Sequence, residues 1–236
     1  MTPVQPNSTE PSPRFSRPSS VYFISMQRAG HHAIINWLGG HYAKFVLRND
    51  FDHENRIEKF DANGIGSCTF SNVEDYNLQR SIEAVESDST EPHVKILVVR
   101  DPYNLFASRC SARFTVRAGQ LTDLAKLIWK GHAAEYLKRN HVDICISYNQ
   151  WFLDREYRKS IAQQLGLDYN EDRLQSVPEF GYGSSFDSCD YNGRASEMKV
   201  LERWKEHKEN PEFLDFIRDP ELEKLSKRIF GPVCSF

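Results

Sequence analysis

The chain has no apolar run approaching the roughly 20 residues that a helix needs to cross a bilayer. Its start shows no basic segment leading into an apolar stretch. The expectation is a protein with neither a membrane span nor a secretion signal. Its five cysteines, Cys68, Cys110, Cys145, Cys189 and Cys234, are odd in number and never form a C-x-x-C pair. That scatter argues against a disulfide framework or a zinc site, and for free thiols in a reducing, cytoplasmic setting. Neither sign of charge dominates. A net charge of −3 lacks the basic excess of a nucleic-acid binder, so no nucleic-acid partner is expected. It does not exclude a small anion, which a few focused arginines can hold. None of the eight histidines falls in H-E-x-x-H or a similar ligand spacing, so no metal is expected. Internal repeats are also missing.

What is present is enough apolar residue, 39% of 236 positions, to build one core. Residues 1–19 carry five prolines among serines and threonines and read as a disordered leader. Residues 20–236 read as one domain. Val21–Ser25 is a short apolar run expected to be a strand, and Ala33, Ile34, Trp37, Leu38 and Tyr42 fall near helical spacing over about 32–42. Lys44–Leu47 and Ser67–Ser71 are weaker strand candidates, with Asp75–Val85 as a helix after the second. Val94–Val99 is the clearest strand. A helix then runs to about Phe114, and Leu121, Leu124, Leu127, Ile128 and Tyr136 mark the next. Val142–Ser147 is a fifth strand, followed by a helix through Phe152, Ile161 and Leu165 that stops at Gly166. Residues 168–195 read as a long loop, with helices near 196–209 and 219–229. Strands separated by helical stretches imply a parallel sheet covered on both faces, with ligands at the carboxyl ends of the strands.

Two strand-to-helix junctions stand out. In the first, Val21–Ser25 leads into Met26-Gln27-Arg28-Ala29-Gly30-His31-His32. In the second, Lys95–Val99 leads into Arg100-Asp101-Pro102, with Ser108 eight residues beyond Arg100. Asp101 suits an N-cap, and Pro102 suits the first turn, where a missing N–H costs little. Each junction combines the free N–H groups and positive dipole end of a helix with an arginine, which makes an anion site. Two such sites suggest a ligand with phosphate at both ends. The first loop is not a G-x-x-x-x-G-K-[ST] loop. It lacks the hydroxyl that would hold magnesium in a phosphoryl-transfer enzyme.

In these segments the chain resembles the sulfotransferases that use 3′-phosphoadenosine 5′-phosphosulfate (PAPS). Gln27–His32 is similar to their first loop, Arg100-Asp101-Pro102 with Ser108 to their second site, and Cys145–Phe152 with Leu165-Gly166-Leu167 to a third element. The resemblance covers about residues 20–167. It implies an α/β fold, a three-layer α/β/α sandwich around a parallel sheet of about five strands, like the P-loop nucleotide kinases. It also implies that Arg28, with the loop from Ala29 through Gly30, His31 and His32, holds the 5′-phosphosulfate. Arg100 and Ser108 would take the 3′-phosphate, Tyr148 the adenine side, and Arg194 is a further 3′-phosphate candidate. The Gly181–Arg194 loop resembles the family's C-terminal loop that closes over the nucleotide. The implied reaction passes the sulfuryl group in line to a hydroxyl or amine of a small-molecule or carbohydrate acceptor, without a metal.

This chain departs from the family pattern where Ala29 replaces a serine and His31-His32 replace two threonines. Arg28 and one of the histidines suit charge stabilisation at the leaving oxygen. The proton acceptor is open between two places, Glu74 and Asp75 after one strand and Asp52, His53 and Glu54 after another; Glu74 is preferred, with His31 or His32 the second choice. Taken alone, Glu74 reads as a solvated first-turn acid, and Asp50, Asp52, Glu54, Glu58 and Asp61 as a soluble face. The rival functions are a non-catalytic nucleotide-binding protein of the same fold and a small-molecule kinase.

Overall fold

The computed structural model describes residues 13–53, 56–112, 116–180 and 187–233. Its strands are β1 (Ser20–Ser25), β2 (Lys44–Asn49), β3 (Arg56–Asp61), β4 (Ser67–Glu74), β5 (Val94–Val99) and β6 (Ile144–Ser147). They form one sheet in the order β3-β2-β4-β1-β5-β6. Every neighbouring pair is parallel except β2–β3. The five parallel strands are those expected from the sequence, and β3 adds an antiparallel edge. β3 was hidden because Arg56, Glu58, Lys59 and Asp61 give it the look of a solvated stretch. On an edge strand such charges discourage pairing with another chain.

The helices are α1 (His31–Gly39), α2 (Leu78–Asp88), α3 (Pro102–Cys110), α4 (Asp123–Lys138), α5 (Tyr148–Leu153), α6 (Arg155–Gln164), α7 (Pro211–Ile217) and α8 (Pro220–Phe230). Short 3-10 turns occupy Ala195–Glu197 and Arg203–His207. The architecture is an α/β/α sandwich. β1 and β5 are interior strands of the sheet, so their runs are apolar on both faces: Phe23, Ile24, Ile96 and Leu97 are wholly buried. Trp37 of α1 meets Trp151 of α5 in the core, with ring centroids 6.1 Å apart.

Several local expectations are corrected. α3 ends at Cys110, and Phe114 lies outside the described residues, as do 1–12, Gly181–Phe186 and Cys234. α4 buries Ala125, Ile128, Trp129, His132 and Ala133, which leaves Leu124 and Leu127 exposed. The stretch after β6 is two helices, because Asp154 ends α5 and caps α6 by accepting from Glu156 N and Tyr157 N. The described end of the leader is not loose. Phe15 N–H donates to Gln164 O, Arg17 to His41 O, and Tyr42 Oη–H to Pro18 O.

One ion pair organises the carboxyl edge of the sheet. Arg109 of α3 meets Asp75 through two bonds of 2.8 and 3.0 Å, both side chains fully buried. Asp75 also accepts from Gln27 N and Ala118 N, while Arg109 donates to the carbonyls of Gln27 and Gly119. Burial of two charges is tolerable because the pair and these backbone groups satisfy one another. The pair thereby joins the loop after β1, the end of β4, and α3.

Candidate functional site

The site forms where β1, β4, β5 and β6 end together. Ser25 lies opposite Glu74, and Val99 opposite Ser147. Beyond Ser25 the backbone coils tightly. Ala29 N–H bonds Met26 O, Arg28 has φ 73°, and Gly30 has φ 90°. Gly30 is required twice over: its conformation disfavours any side chain, and a Cβ there would enter the Tyr148 ring. It caps α1 with no side-chain hydrogen bond, which leaves the first N–H groups of α1 for an anion. Ala29 is buried and can offer only its backbone.

The second junction is built as the sequence suggests. Asp101 caps α3 by accepting from Asn104 N at 2.9 Å, and Pro102 stands in the first turn. Arg100 and Ser108 are both buried, 3.2 Å apart from Nη1 to Oγ. The same Nη1 donates to Arg28 O at 3.0 Å, and Nη2 donates to Val200 O. The guanidinium stacks over Tyr148, 5.2 Å from its centroid. The two junctions are therefore one site, with Tyr148 packed between Gly30 and Arg100. Burial, and then the positive charge of Arg100, lower Arg28 to about 10. Burial lowers Arg100 as well, and its buried Nε has no hydrogen-bond partner among the described residues. Such a buried positive pair is stabilised by an anion.

Beside the loop lies a polar cluster. His31 Nε2 is 2.6 Å from Glu74 Oε1, and His31 Nδ1 is 2.8 Å from Ser25 Oγ. An ionised carboxylate only accepts, so Nε2 carries the proton. Asn72 Nδ2 donates to the same Glu74 oxygen at 3.0 Å. His32 lies 4.2 Å from His31 between ring centroids, with Nε2 2.7 Å from Asn49 Oδ1. Burial would raise Glu74, but the charge and hydrogen bond of His31, helped by His32, hold it down at about 2. Burial, then His31, push His32 down to about 3, which leaves it neutral at ordinary pH. Ligand atoms of His31, His32 and Glu74 lie within 4.8 Å of one another, a spacing open to a metal ion.

Glu74 is thus no solvated first-turn acid: it ends β4, and α2 begins only at Leu78. Asp50 also leaves the soluble face. It is 3% exposed, with φ 47°, and bonds Arg117, whose other nitrogen donates to Glu74 O. Asp52 pairs with Arg80 and Glu58 with Arg56. Arg194 is not brought to the site. Its side chain is exposed, paired with Glu197 and laid over Tyr191. The buried arginine that does arrive is Arg203, lowered to about 10 by burial and by Arg100. The sequence offered only Val200 and Leu201 before it as a hint of burial. Arg28, Gly30, His31, His32, Glu74, Arg100, Ser108 and Tyr148 converge.

No family model matches the chain, and no curated protein matches it. Among solved structures, the sulfotransferase domain of the olefin synthase from Synechococcus PCC 7002 is similar, with TM-score 0.51 and 15% identity. That match covers 92% of this chain and 97% of the other. Mouse sulfotransferase SULT7A1, solved with PAP, aligns over 91% of this chain and 90% of its own, with TM-score 0.46 and 14% identity. The first likeness shows that the chain has the sulfotransferase fold.

Proposed function

We propose that the chain is a PAPS-dependent sulfotransferase that passes the sulfuryl group to a hydroxyl or amine of a small-molecule or carbohydrate acceptor. The observation that carries this reading is the meeting of Arg28 and Arg100 around Tyr148, which makes one buried cationic site from two strand-to-helix junctions. Arg28 and the N–H groups from Gly30 to His32 suit the 5′ end of the nucleotide, and Arg100 with Ser108 suits the 3′-phosphate. Tyr148 forms the wall between them. PAPS supplies the sulfur electrophile and the leaving bisphosphate.

In the transfer the acceptor oxygen or nitrogen forms a bond to sulfur as the bond from sulfur to the 5′-phosphate oxygen breaks. Arg28 and the loop N–H groups stabilise the charge that collects on that oxygen. The acceptor's proton passes to the His31–Glu74–His32 cluster. Glu74 is tied to His31, so it orients the imidazole and the two act as a unit. The loop has no hydroxyl after Gly30 to hold magnesium, which disfavours the kinase alternative. We place the protein in the cytoplasm, in keeping with its free thiols at Cys68, Cys110, Cys145 and Cys189. No described helix is long and apolar enough to cross a membrane.

Calorimetry with 3′-phosphoadenosine 5′-phosphate (PAP) against ATP–Mg tests the proposal. PAP is expected to bind more tightly, and tighter binding of ATP–Mg would replace the reading with a kinase. A non-catalytic nucleotide-binding protein is the second reading, favoured by how fully Glu74 is committed to His31 and Asn72. It predicts PAP binding without release of PAP from PAPS.

A further inference from the structure

Arg203 reaches the site on a segment pinned to the second junction. Arg100 donates to Val200 O, Asn104 Nδ2 donates to Leu201 O at 3.1 Å, and Trp204 N–H donates to Asn104 Oδ1 at 3.3 Å. Between these anchors Arg203 is 5% exposed, with Nη2 3.0 Å from Asp187 Oδ2. Burial lowers Arg203 first, then the charge of Arg100, with Arg28 a smaller influence. Held between Val200, whose carbonyl accepts from Arg100, and Trp204, whose N–H donates to Asn104 of α3, Arg203 belongs to the Arg100 end. Arg100 itself is met by two carbonyls and the Ser108 hydroxyl, none of which carries charge. Asp187 answers Arg203, and its side chain is 28% exposed, within reach of solvent.

We propose that Asp187 is a resident stand-in for phosphate at the Arg100 end, which a nucleotide must displace from Arg203 to bind. This rests on the reading of the site as a bisphosphate-nucleotide pocket. The pair then acts as a specificity filter. A phosphate dianion brings more charge and more acceptor oxygens than one carboxylate, so it wins the exchange. A ribose hydroxyl in the same place loses it, and the nucleotide without that phosphate gains nothing from Arg203.

The test is calorimetry with PAP and with adenosine 5′-monophosphate on the full chain. Asp187→Asn removes the competitor and is expected to tighten PAP about tenfold, while moving the monophosphate less than about twofold. Arg203→Gln is expected to weaken PAP about thirtyfold or more, again sparing the monophosphate. In the double variant the gain from Asp187→Asn should vanish. Arg203→Lys, checked by circular dichroism, covers the chance that Arg203→Gln unfolds the chain, and Asp187→Asn alone still decides. If Asp187→Asn leaves PAP unchanged, or tightens both nucleotides equally, the stand-in role is overturned. If the unaltered chain does not prefer PAP to the monophosphate, the nucleotide reading itself falls.

Discussion

Glu74 ends β4 directly beside Ser25, the last residue of β1, and from there its Oε1 lies 2.6 Å from His31 Nε2. The parallel register creates this meeting, because it brings residues 43 apart in sequence to one edge (74 − 31). A carboxylate so placed holds an imidazole in orientation. Glu74→Gln keeps the shape but loses the charge. Release of PAP from PAPS is expected to fall about a hundredfold, with PAP affinity within about threefold of the parent. Equal losses in turnover and nucleotide affinity would assign Glu74 to binding instead.

Arg100 ties the two strand-to-helix junctions together, through Arg28 O and Ser108 Oγ. Arg100→Ala should weaken PAP about a hundredfold or more, and Ser108→Ala about tenfold. ATP–Mg binding should move far less. Titration of the two nucleotides against each variant checks this, and an equal loss for both would argue against a bisphosphate ligand.

Gly30→Ala should harm both fold and site. The added methyl meets the Tyr148 ring, and the residue is locked at φ 90°. Strain of about 1–3 kcal/mol is expected in urea unfolding, before the ring contact is counted. Tyr148→Ala in the same chain should recover part of the loss, because it removes the clash.

Arg109→Ala leaves Asp75 as an uncompensated charge with no exposure. The expected cost is about 3–5 kcal/mol in denaturant unfolding. Replacement of both partners by apolar residues should cost less than the single change, since no lone charge remains.

Acid should unfold the chain in a window set by the cluster. Glu74 is held low, so its contribution is present above its ordinary value near 4.5 and is lost as pH falls toward about 2. His32 is held low as a neutral group, and His132 is lowered to about 4 by burial. Both therefore favour the unfolded state increasingly as pH drops below their ordinary value of 6.5. All three act in the same direction. Unfolding free energy should decline from about pH 6.5 downward, and His32→Gln should flatten the upper part of that decline.

The parallel strands were legible because β1 and β5 are buried on both faces and so read as unbroken apolar runs. β3 was not, since an edge strand shows its charges to water and leaves little period to read. Arg28, Gly30, Arg100 and Ser108 were legible from local order: strand, basic residue, helix start. Arg203 and Asp50 were not, because their burial comes from segments remote in the chain. Arg203 sits on a segment that Arg100 and Asn104 of the second junction hold, and Asp50 is bonded by Arg117. Arg194 ends the loop likened to one that closes over the nucleotide, but nothing in its own segment carries it inward. Leu124 and Leu127 misled by composition: α4 turns its small residues and Trp129 to the core.

Phe15, Arg17 and Pro18 clasp the far ends of α1 and α6 by hydrogen bonds to Gln164, His41 and Tyr42. Gly166 lets that strap pass, since a Cβ there would meet the Phe15 carbonyl. Trimming or tagging for expression therefore has to leave this buckle whole: a front edge cut at Ser20 frees two helix ends that the apolar leader residue and its arginine now fasten.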